Sequence, residues 1–239
     1  MTATAVDNQQ QAKIAAGRAV SELVADGMIL GVGTGSTAAE AIRAIGRRVR
    51  EENLSVRGVP TSFVSEQLAR ANGITVVSLD EVDSIDLAFD GADEVDPRLN
   101  LIKGRGGAQS REKVVANAAR QFYVLVDESK IVQQLGTNFP VPIEFVPMAL
   151  GPLKRLIVTL GGRPELRMGK AKDGPVVSDQ GLWILDAYFD GIEDAYELNR
   201  SLSDEPGILD HGLFLDLATH VLVGQASGAV REIVRDSPK

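Results

Sequence analysis

The chain has no cysteine among its 239 residues. Disulfides, thiolate metal sites and cysteine nucleophiles are therefore excluded together. Only two histidines occur, His211 and His220, too few for a histidine-rich metal centre. No apolar run approaches the roughly 18 residues that a membrane-spanning helix needs. The opening MTATAVDNQQQAK has neither the basic flank nor the apolar core of a secretory leader. Positive charge is also scarce: 25 Lys and Arg stand against 33 Asp and Glu, a formal net charge of −8. That balance argues against nucleic acid as a main partner. It leaves a small anion possible as a ligand, because a phosphate responds to a few local donors. The expectation is a cytoplasmic protein without membrane attachment.

What is present is the composition of a globular protein, with 44% hydrophobic and 24% charged residues. The length suits one large domain or two unequal ones. After a polar head, Ile14, Val20, Leu23 and Val24 fall at helical spacing, and Gly27 ends that helix. MILGVG reads as a buried strand entering a glycine-rich turn. Ala38, Ala41, Ile42, Ile45 and Val49 then trace one helical face, with Arg43, Arg47, Arg48 and Glu51 opposite. Short apolar strands (VRGVPTS, TVVSL, DLAFDG, FYVLVDE) go on alternating with helices (SEQLARAN, REKVVANAAR). Such alternation predicts a mostly parallel, Rossmann-like sheet sandwiched by helices, with ligands at the carboxyl ends of the strands. From VPIEFVP onward the order becomes strand–helix–strand–strand–helix–strand, the ferredoxin-like pattern. The expected division is an α/β catalytic domain of residues 1–135 and 208–239, with 136–207 a smaller inserted α+β domain. THVLVG returns a strand to the main sheet, and the terminal VRDSPK is expected to fray.

Three stretches carry candidate chemistry. In GVGTGSTAAEAI, Gly33 and Gly35 let the backbone approach a ligand, and Thr34, Ser36 and Thr37 add hydroxyls at a helix start that attracts anions. An ordinary capped turn would have the same pattern, so this stretch alone decides little. In DLAFDGADEVD, Asp90 and Asp93 flank Gly91 and Ala92 directly after an apolar strand. Neighbouring carboxylates push one another's pKa apart, which suits acid–base work on sugar hydroxyls; a solvated turn or an oxygen-ligand metal site has the same spacing. In NLIKGRGGAQSREKVVANAA, Lys103 precedes a loop with Gly104, Gly106 and Gly107, and Glu112 lies in the first turn of a helix. A flexible glycine loop would let the Lys103 ammonium reach a developing oxyanion, and Glu112 would serve as a base on a carbon acid if its surroundings raise its pKa; a solvated surface lysine and a first-turn acid favoured by the helix dipole have the same pattern. Lys130, after FYVLVDES, is a further candidate cation.

GTGST, DGADE, NLIKGxGGAxxREK and VDESK, in that order and at close spacing, resemble the ribose-5-phosphate isomerase A family. PIEF, the SDQG turn and GLF agree, so the resemblance covers nearly the whole chain. It implies an aldose–ketose isomerase of the non-oxidative pentose phosphate pathway, needing no metal or organic cofactor. The general base would be Glu112, Lys103 would stabilise the oxyanion, and Asp90 and Asp93 would contact sugar hydroxyls, with Asp90 aiding ring opening. Thr34, Gly35, Ser36, Thr37, Gly91, Ala92, Gly104, Arg105, Gly106 and Lys130 would belong to the substrate site, and Lys13 would contact the phosphate. A homodimer or homotetramer is also implied. Arg105 replaces the family's usual glycine, SDQGL its TDNGN, and DHGLF its ENGLF; His211 reads as structural. The alternatives are a deaminase or lactonase, an acyl-CoA transferase, and a sugar-phosphate-sensing regulatory module of the same fold.

Overall fold

The computed structural model describes residues 3–236, with side chains described from residue 7 onward. The chain begins with α1 (Ala3–Glu22), β1 (Ile29–Val32), α2 (Ser36–Glu52), β2 (Arg57–Pro60), α3 (Phe63–Ala71), β3 (Thr75–Val76) and β4 (Ile85–Gly91). It continues through β5 (Glu94–Val95), β6 (Leu101–Ile102), α4 (Gln109–Ala118) and β7 (Ala119–Asp127). Then come β8 (Val141–Phe145), α5 (Leu150–Thr159), β9 (Arg163–Leu166), β10 (Trp183–Tyr188), α6 (Ala195–Ser203), β11 (Ile208–His211) and β12 (Leu213–Phe214). β13 (His220–Gly224) and β14 (Val230–Val234) close the described chain. Two compact units result. One comprises residues 1–92, 111–131 and 216–239, the other 93–110 and 132–215.

The first unit is built on a seven-stranded sheet ordered β14-β13-β7-β4-β1-β2-β3. Every pairing is parallel except β13 with β14. Numbered by chain order, the six parallel strands lie 3-2-1-4-5-6, the doubly wound order whose topological switch falls between β1 and β4. The expected apolar face of α2 is buried through Ala38, Ala41, Ile42 and Ile45, and Asn53 ends the helix in the left-handed conformation at φ 56°. Ser62 caps α3 in a reciprocal box with Ser65. α1 starts at Ala3, earlier than its polar head predicts, because Gln9 and Gln10 are anchored: their amides donate to Asp127 Oδ2 (3.1 Å) and Glu40 Oε1 (3.0 Å). The segment expected to fray is ordered through its start. β14 includes Val234, and Arg235 bonds the Thr219 carbonyl and the Asp216 carboxylate. The core gathers Leu30, Val32, Ile42, Ile45, Leu87, Phe89 and Leu125.

The second unit holds a four-stranded antiparallel sheet ordered β11-β8-β10-β9, with α5 and α6 as its two crossovers. This fourth-first-third-second order is the ferredoxin-like arrangement that the element sequence predicts. The unit exceeds the expected 136–207. Segment 93–110 joins it because β6 pairs with both β5 and β12 in a three-stranded sheet, and the Val132 N–H bonds the Val95 carbonyl. The stretch GILDHGLF, where the last strand of the ferredoxin-like order falls, splits at Gly212 into β11 and β12, which serve different sheets. Val141, Ile143, Phe145, Leu153, Ile157 and Leu185 form the core of this unit.

Candidate active site

In the first unit Thr34, Asp90 and Gly91 lie together at the switch point. The β1 strand ends into Gly33 and Thr34, and the neighbouring β4 ends at Asp90 and Gly91. The Thr34 N–H donates to Asp90 Oδ1 (2.9 Å), as does the Gly91 N–H (2.8 Å), so the carboxylate of Asp90 is gripped by main-chain donors. Gly33 is required by this approach: a Cβ there would lie 2.5 Å from Asp90 Cγ. The Thr34 hydroxyl bonds those of Thr61 (2.7 Å) and Ser62 (2.8 Å), which follow β2. Gly35 is the N-cap of α2, so Ser36 and Thr37 stand in its first turn, where N–H groups lack intrahelical acceptors and the dipole favours an anion.

Lys13 is half-buried on α1, three and four residues beyond Gln10 and Gln9 and so on the face they share. Lys130 closes a 3₁₀ turn after β7 that Asp127 caps by accepting from the Ser129 N–H (2.9 Å). Burial pushes the Asp127 carboxyl up, but hydrogen bonds from Ser129 and Gln9, together with the charge of Lys130, hold it below the usual carboxylate range. Glu112, on α4, is 5% exposed, and Asp90 is 2% exposed. Burying ionisable groups this deeply is costly, which marks both as candidates for chemistry.

The second unit carries Asp93 and the Lys103 loop. Lys103 is 3% exposed, with its Nζ 5.5 Å from the centre of the Phe214 ring. Its N–H donates to the Gly212 carbonyl (2.9 Å), so the strand pair β6–β12 sets where the lysine begins. The loop is not the flexible segment its glycines suggest. The Gly107 N–H closes a turn onto the Gly104 carbonyl (2.9 Å), and the Arg105 N–H donates to Asp93 Oδ2 (3.1 Å). Arg167 donates to the carbonyls of Gly104 (3.0 Å) and Arg105 (3.1 Å). Gly104 adopts φ 102°, and a Cβ on it would come within 2.9 Å of Gln109 Oε1. Arg105 is exposed, its guanidinium 5.4 Å from the Phe139 ring centre.

Two buried glutamates brace the surroundings. Glu94, 0% exposed, accepts main-chain N–H groups of Gly136 (2.6 Å), Asn138 (2.5 Å) and Phe139 (2.9 Å). Glu144, the acid of PIEF, accepts the hydroxyls of Ser110, in the first turn of α4, and of Ser178, in the SDQG turn. His211 is buried, and its Nδ1 accepts from the Leu213 N–H (3.3 Å).

Residues 57–228 match the family model described as ribose 5-phosphate isomerase A (phosphoriboisomerase A). A ribose-5-phosphate isomerase A from Thermosynechococcus vestitus is 50% identical over 231 residues, covering 95% of this chain and 98% of that protein. The chain belongs to the ribose 5-phosphate isomerase A family. A member from Thermococcus kodakarensis is 48% identical over 94% of this chain and 98% of its own. The solved structure from Methanocaldococcus jannaschii superposes with a TM-score of 0.89 at 44% identity, covering 93% of this chain and 97% of that one. A D-ribose-5-phosphate isomerase solved in complex with phospho-erythronic acid gives 0.91 at 42% identity, covering 95% and 99%.

Within this chain, Thr34 meets Asp90 directly, and Asp93 meets the Lys103 loop through the Arg105 N–H. The sensing-module alternative finds no support among these relatives. Sequence reasoning missed Thr61 and Ser62, although hydroxyls straight after the apolar strand VRGVP were a usable signal. It also missed Arg167 and its carboxylate partner Asp186, for which no local signal exists, since they lie more than 60 residues from the loop.

Proposed function

We propose that this chain interconverts D-ribose 5-phosphate and D-ribulose 5-phosphate, with Glu112 as the proton-transferring base. One observation carries the reading: a chain half-identical to a ribose-5-phosphate isomerase A over nearly its whole length has Asp90, Lys103 and Glu112 in its three motifs and buries all three. From the open-chain aldose, the Glu112 carboxylate removes the C2 proton as the C–H electron pair moves towards the C1 carbonyl. The charge that builds on oxygen in the resulting enediolate is met by the Lys103 ammonium. Glu112 then returns a proton to C1 as the C1–C2 double bond opens, the O2 hydroxyl proton passes to O1, and the ketose carbonyl forms at C2. Asp90, fixed by the Thr34 and Gly91 N–H groups, aids ring opening, and Asp93 contacts a sugar hydroxyl. Thr34, Ser36, Thr37, Gly91, Ala92, the residues 104–106, Lys130 and Lys13 complete the substrate site. The phospho-erythronic acid bound to the 42%-identical relative is, like the substrate, a short hydroxylated chain with a phosphate at one end, and its carboxylate carries charge on oxygen as the enediolate does.

Among the described residues no helix is long and apolar enough to cross a membrane. The family resemblance supports a homodimer or homotetramer working in the cytoplasm as part of the same reading. The test is ribulose 5-phosphate formation from ribose 5-phosphate in excess EDTA. Turnover that survives the chelator is expected; a folded but inactive wild type would sink the isomerase reading.

A further inference from the structure

The glycine loop after Lys103 presents a physical problem. Four residues follow the lysine before Ala108, three of them glycine, and such a segment loses more conformational freedom on ordering than any other composition. Something must hold it, because an ammonium that stabilises a transition state has to be in place before the charge develops. The restraint comes from the ferredoxin-like sheet. Arg167 follows β9 directly, and its backbone is tied on both sides: its N–H donates to the Ile184 carbonyl (2.9 Å) and its carbonyl accepts from Val176 (2.8 Å). Its guanidinium forks onto Asp186 of β10, Nε to Oδ2 (2.8 Å) and Nη2 to Oδ1. The remaining nitrogen, Nη1, donates to the consecutive carbonyls of Gly104 and Arg105. Only a planar guanidinium can satisfy a carboxylate with one edge and two carbonyls with another corner.

The consequence lies in the peptide planes. A trans peptide points its N–H opposite its carbonyl. With the Gly104 carbonyl on Arg167, the Arg105 N–H faces the other way and meets Asp93 Oδ2. One peptide plane is thus held at both ends, by Arg167 and by Asp93.

We infer that Arg167, locked by Asp186, is a positioning residue for the isomerase reaction: it fixes the Lys103–Gly107 loop in its working conformation. The inference rests on the isomerase reading for its kinetic test, but the restraint on the loop can be measured without substrate. Arg167 and Asp186 line a cavity of about 320 Å³, so a small cation can reach the place that a truncated arginine vacates.

The experiment compares wild type with Arg167→Ala, Arg167→Lys and Asp186→Asn by steady-state kinetics and by amide hydrogen exchange of peptides covering 103–107 and 141–145. Arg167→Ala is expected to lower kcat/KM on the order of 10–100-fold, mainly in kcat. Guanidinium at a non-denaturing concentration restores part of that loss, and an equal concentration of sodium does not. Arg167→Lys keeps a charge beside Asp186 yet stays impaired, since an ammonium is a point donor. Exchange rises in 103–107 and not in β8. Should Arg167→Ala fail to fold, the lysine and asparagine variants carry the test. Wild-type kcat with wild-type loop exchange in the variants would overturn the inference. So would an activity loss matched by faster exchange across β8, the sign of an ordinary structural role. An inactive wild type would sink the isomerase reading alone, leaving the loop exchange to judge the restraint.

Discussion

The two units hold their site residues by different means. In the first, Asp90 is fixed by the main chain of its own turn and of the neighbouring turn, at the switch point of a doubly wound sheet. Backbone donors at strand ends come with the fold, and side chains there need only be small enough to permit the approach. In the second, the Lys103 loop is restrained by the side chains of Asp93 and of Arg167, which follows β9 and is locked by Asp186 of β10. The difference teaches where each half is vulnerable. The first should fail through added bulk, the second through lost partners.

The largest effects are expected at the reacting groups. Glu112→Gln should cost about 10²–10⁴-fold in kcat and at least as much as Lys103→Ala, for which about 10²–10³-fold is expected. Steady-state rates of the two purified variants check the ranking. Next comes bulk in the first unit. Gly33→Ala places a methyl group against the Asp90 carboxyl, and overpacking of this kind costs about 1–3 kcal/mol. Thermal melts should show that loss together with a fall in kcat; a variant with unchanged kcat would remove the distinction drawn between the units.

Where the lost partner lies outside the Lys103 loop, the effect in the second unit is expected on stability. Glu144→Ala leaves the hydroxyls of Ser110 and Ser178 without their acceptor, at about 1–3 kcal/mol by urea unfolding. The smallest effect is the pH dependence of His220 in the first unit. Its ring stacks on Tyr123 at 4.2 Å, and burial holds its pKa below the ordinary histidine value against the opposing pull of Glu232. Because the folded pKa lies below the unfolded one, this contribution is complete above about pH 6.5 and is lost as pH falls towards the folded value. His220→Phe should flatten that part of the stability profile.

The same contrast governs what could be read in advance. The alternation of strands and helices, the switch to a ferredoxin-like order and the four motifs were legible because each is written in consecutive residues. The grip on Asp90 was half legible, since glycines after a strand announce a close approach without naming what approaches. The partners of the Lys103 loop were not legible. Nothing local to Arg167 or Asp186 separates them from a surface ion pair on adjacent strands. The membership of 93–110 in the second unit was hidden likewise, because β5, β6 and β12 are two residues long and β12 pairs with β6 across the whole insertion.

The central claim is that Glu112 moves a carbon-bound proton, and solvent deuterium tests it most directly. Ribose 5-phosphate is incubated in D₂O with wild type or Glu112→Gln, and the sugars are read by NMR. Because the Glu112 carboxylic acid exchanges its proton with solvent over repeated turnovers, deuterium is expected at C1 of ribulose 5-phosphate with the wild type and none above background with the folded variant. Exchange at the wild-type rate in Glu112→Gln would contradict it.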